Sequence, residues 1–102
     1  MNTLVAVSIA PLGVGDELSK EVAQIVRVIR RSGLPSKTSA MYTEIEGQWD
    51  EVMDVIKEAT MVLTKQGIRT MVSIKADIRP GYEGTMEAKL ERLEAAMETE
   101  DE

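Results

Sequence analysis

The sequence predicts an α+β fold in which one antiparallel four-stranded sheet carries helices on one face. Segments with strand and helix periodicity alternate in the order β-α-β-β-α-β-α, and two of the helical segments have broad apolar stripes that need a shared surface to cover. Thr70 to Ile78 also alternates apolar with polar residues, so its sheet has one dry face and one wet face. A chain of 102 residues has room for one core, taken here as a single domain over 1–98, with 99–102 as an acidic end expected to fray.

Leu4 to Ala10 is a short run rich in β-branched residues and is closed by Pro11, Gly13 and Gly15, as a buried strand ends in a loop. Asp16 is placed to cap the first helix, whose stripe is Leu18, Val22, Ile25, Val26 and Ile29 and whose stop is Gly33. Ser36–Tyr42 and Thr43–Glu46 read as two strands joined by a turn near Ala40-Met41. Trp49, Val52, Met53, Ile56, Ala59 and Leu63 mark the second helix, with Asp50 and Glu51 in its first turn and Gly67 beyond its end. Trp49, the single tryptophan, belongs to that stripe and reads as core or interface packing. Thr70–Ile78 is the last strand. After Pro80-Gly81, the residues Met86, Leu90, Leu93 and Met97 define a narrow third helix.

This order is a ferredoxin-like βαββαβ sandwich with an added C-terminal helix. Val5, Val7, Ile9, Ile45, Val72, Ile74 and Ile78 supply the face under the helices. Ala6, Ser8, Ser39, Glu44, Glu46, Ser73, Lys75 and Asp77 fall on the other, which is either a solvated outer face or a lined pocket between paired protomers.

Composition excludes much chemistry. With no cysteine and no histidine, there is no disulfide, thiolate zinc site, histidine-ligated metal or Ser-His-Asp triad. Met86 to Glu102 holds seven acids against two bases and so carries −5 of the formal −6. The body from Met1 to Thr85, with eleven acids and ten bases, has no field to attract nucleic acid, and the open face offers no aromatic pair for RNA stacking. Leu4 to Ala10 is too short to span a bilayer and lacks signal-peptide flanks, so the expected location is the cytoplasm, without membrane attachment.

Several segments together resemble one family: Ile9-Ala10-Pro11-Leu12-Gly13, Ser32-Gly33-Leu34, the stretch from Met41 to Val52 with its Ile45-Glu46-Gly47, and Ser73-Ile74-Lys75-Ala76-Asp77. The chain is similar in these to the small thiamine-binding proteins, relatives of the YkoF-like thiamine/hydroxymethylpyrimidine-binding proteins, over nearly its whole length to Leu93. The resemblance implies a ferredoxin-like protomer that forms homodimers or dimers of dimers and binds thiamine or its pyrimidine without catalysis or further cofactor. Two places depart from the family pattern: Tyr42, where a glycine is usual, and the strand end Ala76-Asp77-Ile78-Arg79-Pro80.

The candidate ligand residues follow from both readings. Glu44 and Glu46 are two apart on a strand and share the open face, where a carboxylate suits an aminopyrimidine and a thiazolium cation, or else pairs with Lys75 or Lys37. The resemblance favours Glu46. Ser8 and Ser73 share that face and can hydrogen-bond a heteroaromatic ring, or can be small so that two sheets approach closely. Thr43 alternates onto the Ile45 side and reaches the open face only through a bulge. Tyr42 either narrows a pocket or stacks on a ring, Met41 and Pro11 flank it, and Lys75 and Asp77 either bind ligand or pair across a dimer. Two other functions compete: an oligomeric regulatory or scaffolding module, and a small dimeric α+β-barrel enzyme using Glu44, Glu46, Asp77, Lys75 or Tyr42 as acid or base.

Overall fold

The computed structural model describes residues 1–13, 19–82 and 84–100, with side chains through Glu98 in the last segment. Its elements are β1 (Asn2–Pro11), α1 (Ser19–Arg31), β2 (Ser36–Thr38), β3 (Thr43–Gln48), α2 (Trp49–Thr64), β4 (Thr70–Ile78) and α3 (Thr85–Glu100). The sheet order is β2-β3-β1-β4 with every neighbouring pair antiparallel, as the βαββαβ connection requires. Asp16, Gly15 and Leu18, assigned above to the cap, loop and stripe of the first helix, lie outside the described residues, as do Asp101 and Glu102.

One face of the sheet and the two long helices form the core. Val5 and Val7 of β1 and Ile45 of β3 meet Ile25 and Ile29 of α1 and Val52, Val55, Ile56, Ala59 and Leu63 of α2. The stripe of α2 recurs every three or four residues, which keeps it on the sheet for four turns. The helix then ends in a Schellman cap: Ile68 N–H donates to Leu63 O at 3.2 Å and Gly67 N–H to Thr64 O at 3.0 Å, with Gly67 at φ +74°. Gly67→Ala is therefore expected to cost roughly 1–2 kcal/mol, the strain of a left-handed alanine. A denaturant titration of the variant measures it, and Gly67→Asn should recover part of the loss.

The fold differs from the sequence expectation in two places. β2 has three residues, not seven, because both the amide and the hydroxyl of Ser39 donate to Tyr42 O at 2.9 Å and close a turn there. Ser39 is consequently a turn residue, off the sheet face. Ile74 and Ile78 do lie on the helix side of β4, but they are 44% and 40% exposed. The helix layer covers Val72 of β4 but leaves Ile74 and Ile78 largely uncovered.

On the opposite face the register lays the side chains in rows. Lys37, Glu44, Ala6 and Lys75 form one row, Glu46, Leu4 and Asp77 the next, and Ser8 stands beside Ser73. α3 starts over this face but runs away from it, leaving Leu90, Leu93 and Met97 exposed. The molecule measures 52 × 31 × 20 Å with a radius of gyration of 15.6 Å, where about 13 Å is usual for this length.

Candidate functional site

A cavity of 220 Å³ exists because β1 outruns β3. Their pairing ends at Val7 and Thr43, yet β1 continues to Pro11 beside β4, so from Ser8 onward its β3-side edge has no strand next to it. The turn after β2 folds outward at this point, with Met41 77% exposed, and leaves a notch roofed by α1. Val7 and Ile9 form the floor, Val22, Ile25, Val26 and Ile29 the α1 wall, and Thr38 to Thr43 the rim, with Ser8 at the open edge. The Thr43 hydroxyl donates to Thr38 Oγ1 at 3.4 Å, and both side chains lie on the helix side of the sheet. Among the described residues that line it, none carries a formal charge at neutral pH. The chemistry on offer is apolar contact on one wall, hydroxyls on the other, and backbone edge groups between them, which suits one neutral heteroaromatic ring.

The candidate residues thus divide among three places. Ser8, Met41, Tyr42 and Thr43 gather at this notch, and Thr43 does so on the Ile45 side without any bulge. Glu44, Lys75 and Asp77 lie instead on the open face around a 250 Å³ depression with Leu4, Ala6 and Lys89. Ser73 is exposed opposite Ser8, and Pro11 ends β1 against Thr70.

Glu46 stands apart from both sites. It is only 5% exposed, and its carboxylate receives the first amides of α3: Thr85 N–H at 2.6 Å and Met86 N–H at 3.4 Å. Asn2 Nδ2 donates to Glu46 Oε2 at 2.9 Å and to Thr85 Oγ1 at 3.0 Å, tying β1, β3 and α3 into one node. A helix N-terminus presents unpaired N–H groups and a partial positive charge, and a carboxylate satisfies both. Burial alone would raise the Glu46 pKa, but the hydrogen bonds from Asn2, the Thr85 and Met86 amides and the Thr85 hydroxyl outweigh it and hold it below the ordinary 4.5. Asp77 is also lowered, by the hydrogen bond and charge of Lys89 at 2.6 Å and, more weakly, by Arg79. That pair is exposed and screened by solvent, so Lys89→Met is expected to leave the thermal midpoint almost unchanged.

Sequence reasoning missed the α1 wall of the notch. Val22, Ile25, Val26 and Ile29 have the spacing of core residues, and nothing local marks them as cavity lining. No signal in the sequence separates them, because the hairpin they overhang is expected there to be longer than it is.

Against known proteins, a family model described as thiamine-binding protein matches residues 5–94. The chain belongs to the thiamine-binding protein family. UPF0045 proteins of Mycobacterium bovis and Methanocaldococcus jannaschii are 43% identical over 95 residues and 38% over 87, covering 92% and 85% of this chain and 93% and 87% of the relatives. Among solved structures, a hypothetical protein of Methanocaldococcus jannaschii superposes with a TM-score of 0.78 at 38% identity, over 90% of this chain and 95% of that one. A Thermotoga maritima protein named as a candidate for thiamine biosynthesis or salvage gives 0.77 at 21% identity, over 91% and 99%, and so shows a shared fold. Among the described residues, no helix is long and apolar enough to cross a membrane, and no group of acidic side chains is placed to hold a metal.

Proposed function

We propose that the protein binds thiamine or its hydroxymethylpyrimidine moiety without transforming it, and that the notch between α1 and the β2–β3 turn takes the pyrimidine ring. The observation that carries this reading is a cavity with no charged side chain among its described lining residues and hydroxyls on one wall, in a member of the thiamine-binding family. Its 220 Å³ falls below the roughly 300–1,000 Å³ of sites that enclose a drug-sized ligand, so it suits one ring with the remainder of the molecule outside. Tyr42 stands half-exposed at the rim, where it can stack on the ring or on its substituent. A binding role also agrees with the engagement of the buried acid: Glu46 accepts the first amides of α3 and so is not free to act as a general base.

A second placement follows from the charges. Glu44 and Asp77 border the open-face depression, and a thiazolium cation is attracted to carboxylates. A ligand there would lie where a homodimer or dimer of dimers could close over it.

Thermal unfolding of protein stripped of ligand, with and without thiamine and hydroxymethylpyrimidine, tests both. A ligand at 100 times its Kd adds about 2.7 kcal/mol, a shift of roughly 10 °C or more for a domain of this size. Thr43→Val should shrink the shift and Glu44→Ala should leave it intact if the ring occupies the notch. The reverse pattern assigns the ligand to the open face, and the absence of any shift with either compound removes the thiamine-class reading.

A further inference from the structure

The sheet register fixes which backbone groups of β1 face which neighbour. In an antiparallel ladder the two residues of a hydrogen-bonded pair exchange both of their N–H···O bonds, and along a strand the residues that do so with one neighbour alternate with those that do so with the other. Asn2 O accepts from Arg79 N–H at 3.0 Å and Leu12 N–H donates to Arg69 O at 2.8 Å, so the even-numbered residues of β1 turn their N–H and C=O toward β4. Met1 O accepts from Trp49 N–H at 3.1 Å, so the odd-numbered ones turn theirs toward β3.

Val7 is the last of the odd residues with a partner, Thr43. Continued by two residues, the same register would set Met41 opposite Ile9, but the turn closed by Ser39 and Tyr42 carries Met41 outward. Pro11, the next odd residue, has no N–H. Among the described residues, Ile9 is thus the position of β1 where an N–H and a C=O stand side by side without a partner, and both point into the gap that forms the notch. A backbone donor and acceptor on a cavity wall take their partners from whatever fills the cavity.

We propose that this peptide edge reads the ligand: Ile9 N–H donates to the ring nitrogen beside the amino group of an aminopyrimidine, and Ile9 C=O accepts from that amino group. The proposal rests on the notch as the site of the ring. The ligand then takes the place of the residue that β3 does not supply opposite Ile9, lying in the plane of the sheet with one ring face toward the α1 wall. The side chains offer no such discrimination. A hydroxyl rotates and both donates and accepts, so Thr38 and Thr43 meet a ring nitrogen and an amino group equally well, whereas an N–H and a C=O held by the β1–β4 ladder keep their order. The class selected is therefore a flat ring with an acceptor next to a donor. A pyrimidine without the amino group, or a pyridine without that nitrogen, satisfies half of the edge and leaves the other half unpaired.

Amide hydrogen exchange, followed by NMR on the full chain, tests this with three probes: hydroxymethylpyrimidine, its analogue lacking the amino group, and its analogue with carbon in place of the ring nitrogen beside it. In the free protein the Ile9 amide should exchange faster than that of Val7, which bonds Thr43. Saturation with hydroxymethylpyrimidine should slow Ile9 at least about tenfold, while exposed amides remote from the notch keep their rates. In calorimetric titrations each analogue should bind at least about tenfold more weakly than hydroxymethylpyrimidine, and the carbon analogue should leave the Ile9 amide unprotected even where it binds. Hydroxymethylpyrimidine that binds with dependence on Thr43 but does not protect Ile9, or a carbon analogue that binds equally tightly, would overturn this proposal and leave the notch as the ligand site. No binding by hydroxymethylpyrimidine would overturn both.

Discussion

Glu46→Ala is expected to release α3 from the sheet and to lower the unfolding free energy by about 1–3 kcal/mol, the cost of leaving buried polar groups without a partner. Four donors lose their acceptor at once: Asn2 Nδ2, the Thr85 amide, the Met86 amide and the Thr85 hydroxyl. Asn2 retains Thr85 Oγ1, but that contact depends on α3 remaining in place. Glu46→Gln separates charge from shape, since one amide oxygen still accepts while the new NH2 faces donors, and the loss of negative charge at a helix N-terminus is worth about 0.3–1 kcal/mol by itself. Far-ultraviolet circular dichroism and a denaturant titration should therefore rank wild type above Glu46→Gln above Glu46→Ala. The same node predicts a pH dependence. The folded pKa of Glu46 lies below its ordinary 4.5, so its contribution is full above that value and is lost as pH falls through the lower, folded one. Asp77 is lowered too and adds in the same direction. The acid side of the stability profile should be shallower in Glu46→Ala than in the wild type; identical slopes would mean that the carboxylate does not hold the helix.

What the sequence made legible is what depends on near neighbours. The stripe of α2 and its Gly67 stop can be read within one helix, and alternation assigns the faces of β3 and β4 correctly, down to Thr43 of β3 lying with Ile45 on the helix side. Glu46 was placed on the open face by the same alternation, and it is there. Its partners could not be read, because the amides it accepts come from a helix that begins 39 residues later. The length of β2 was illegible for another reason: Ser39 fits a strand by pattern, and only the bond to Tyr42 ends the ladder. Ile74 and Ile78 show the limit of periodicity, which tells which face a side chain joins but not whether a helix reaches far enough to cover it.

The notch was invisible for that reason as well, and it supports the second large effect. Val26→Phe, at a half-buried position on the α1 wall, puts a ring into space that the wild type leaves empty. Binding of hydroxymethylpyrimidine should weaken by at least about tenfold, or 1.4 kcal/mol. The unliganded midpoint should hold or rise, since filling a cavity commonly adds about 0.5–2 kcal/mol. Loss of binding with retained stability distinguishes an occupied site from a damaged fold, and calorimetric titration of the variant reads it directly. The lining also sets an expectation for the intact vitamin. With no charged side chain among the notch's described lining residues, a ring bound there leaves the thiazolium in water, where it gains little, so thiamine and the free pyrimidine should bind within about tenfold of each other. A much tighter grip on thiamine requires a carboxylate against the cation. Glu46 is engaged by α3, which leaves Glu44 and Asp77 beside the open-face depression as the residues whose joint removal should then abolish the difference.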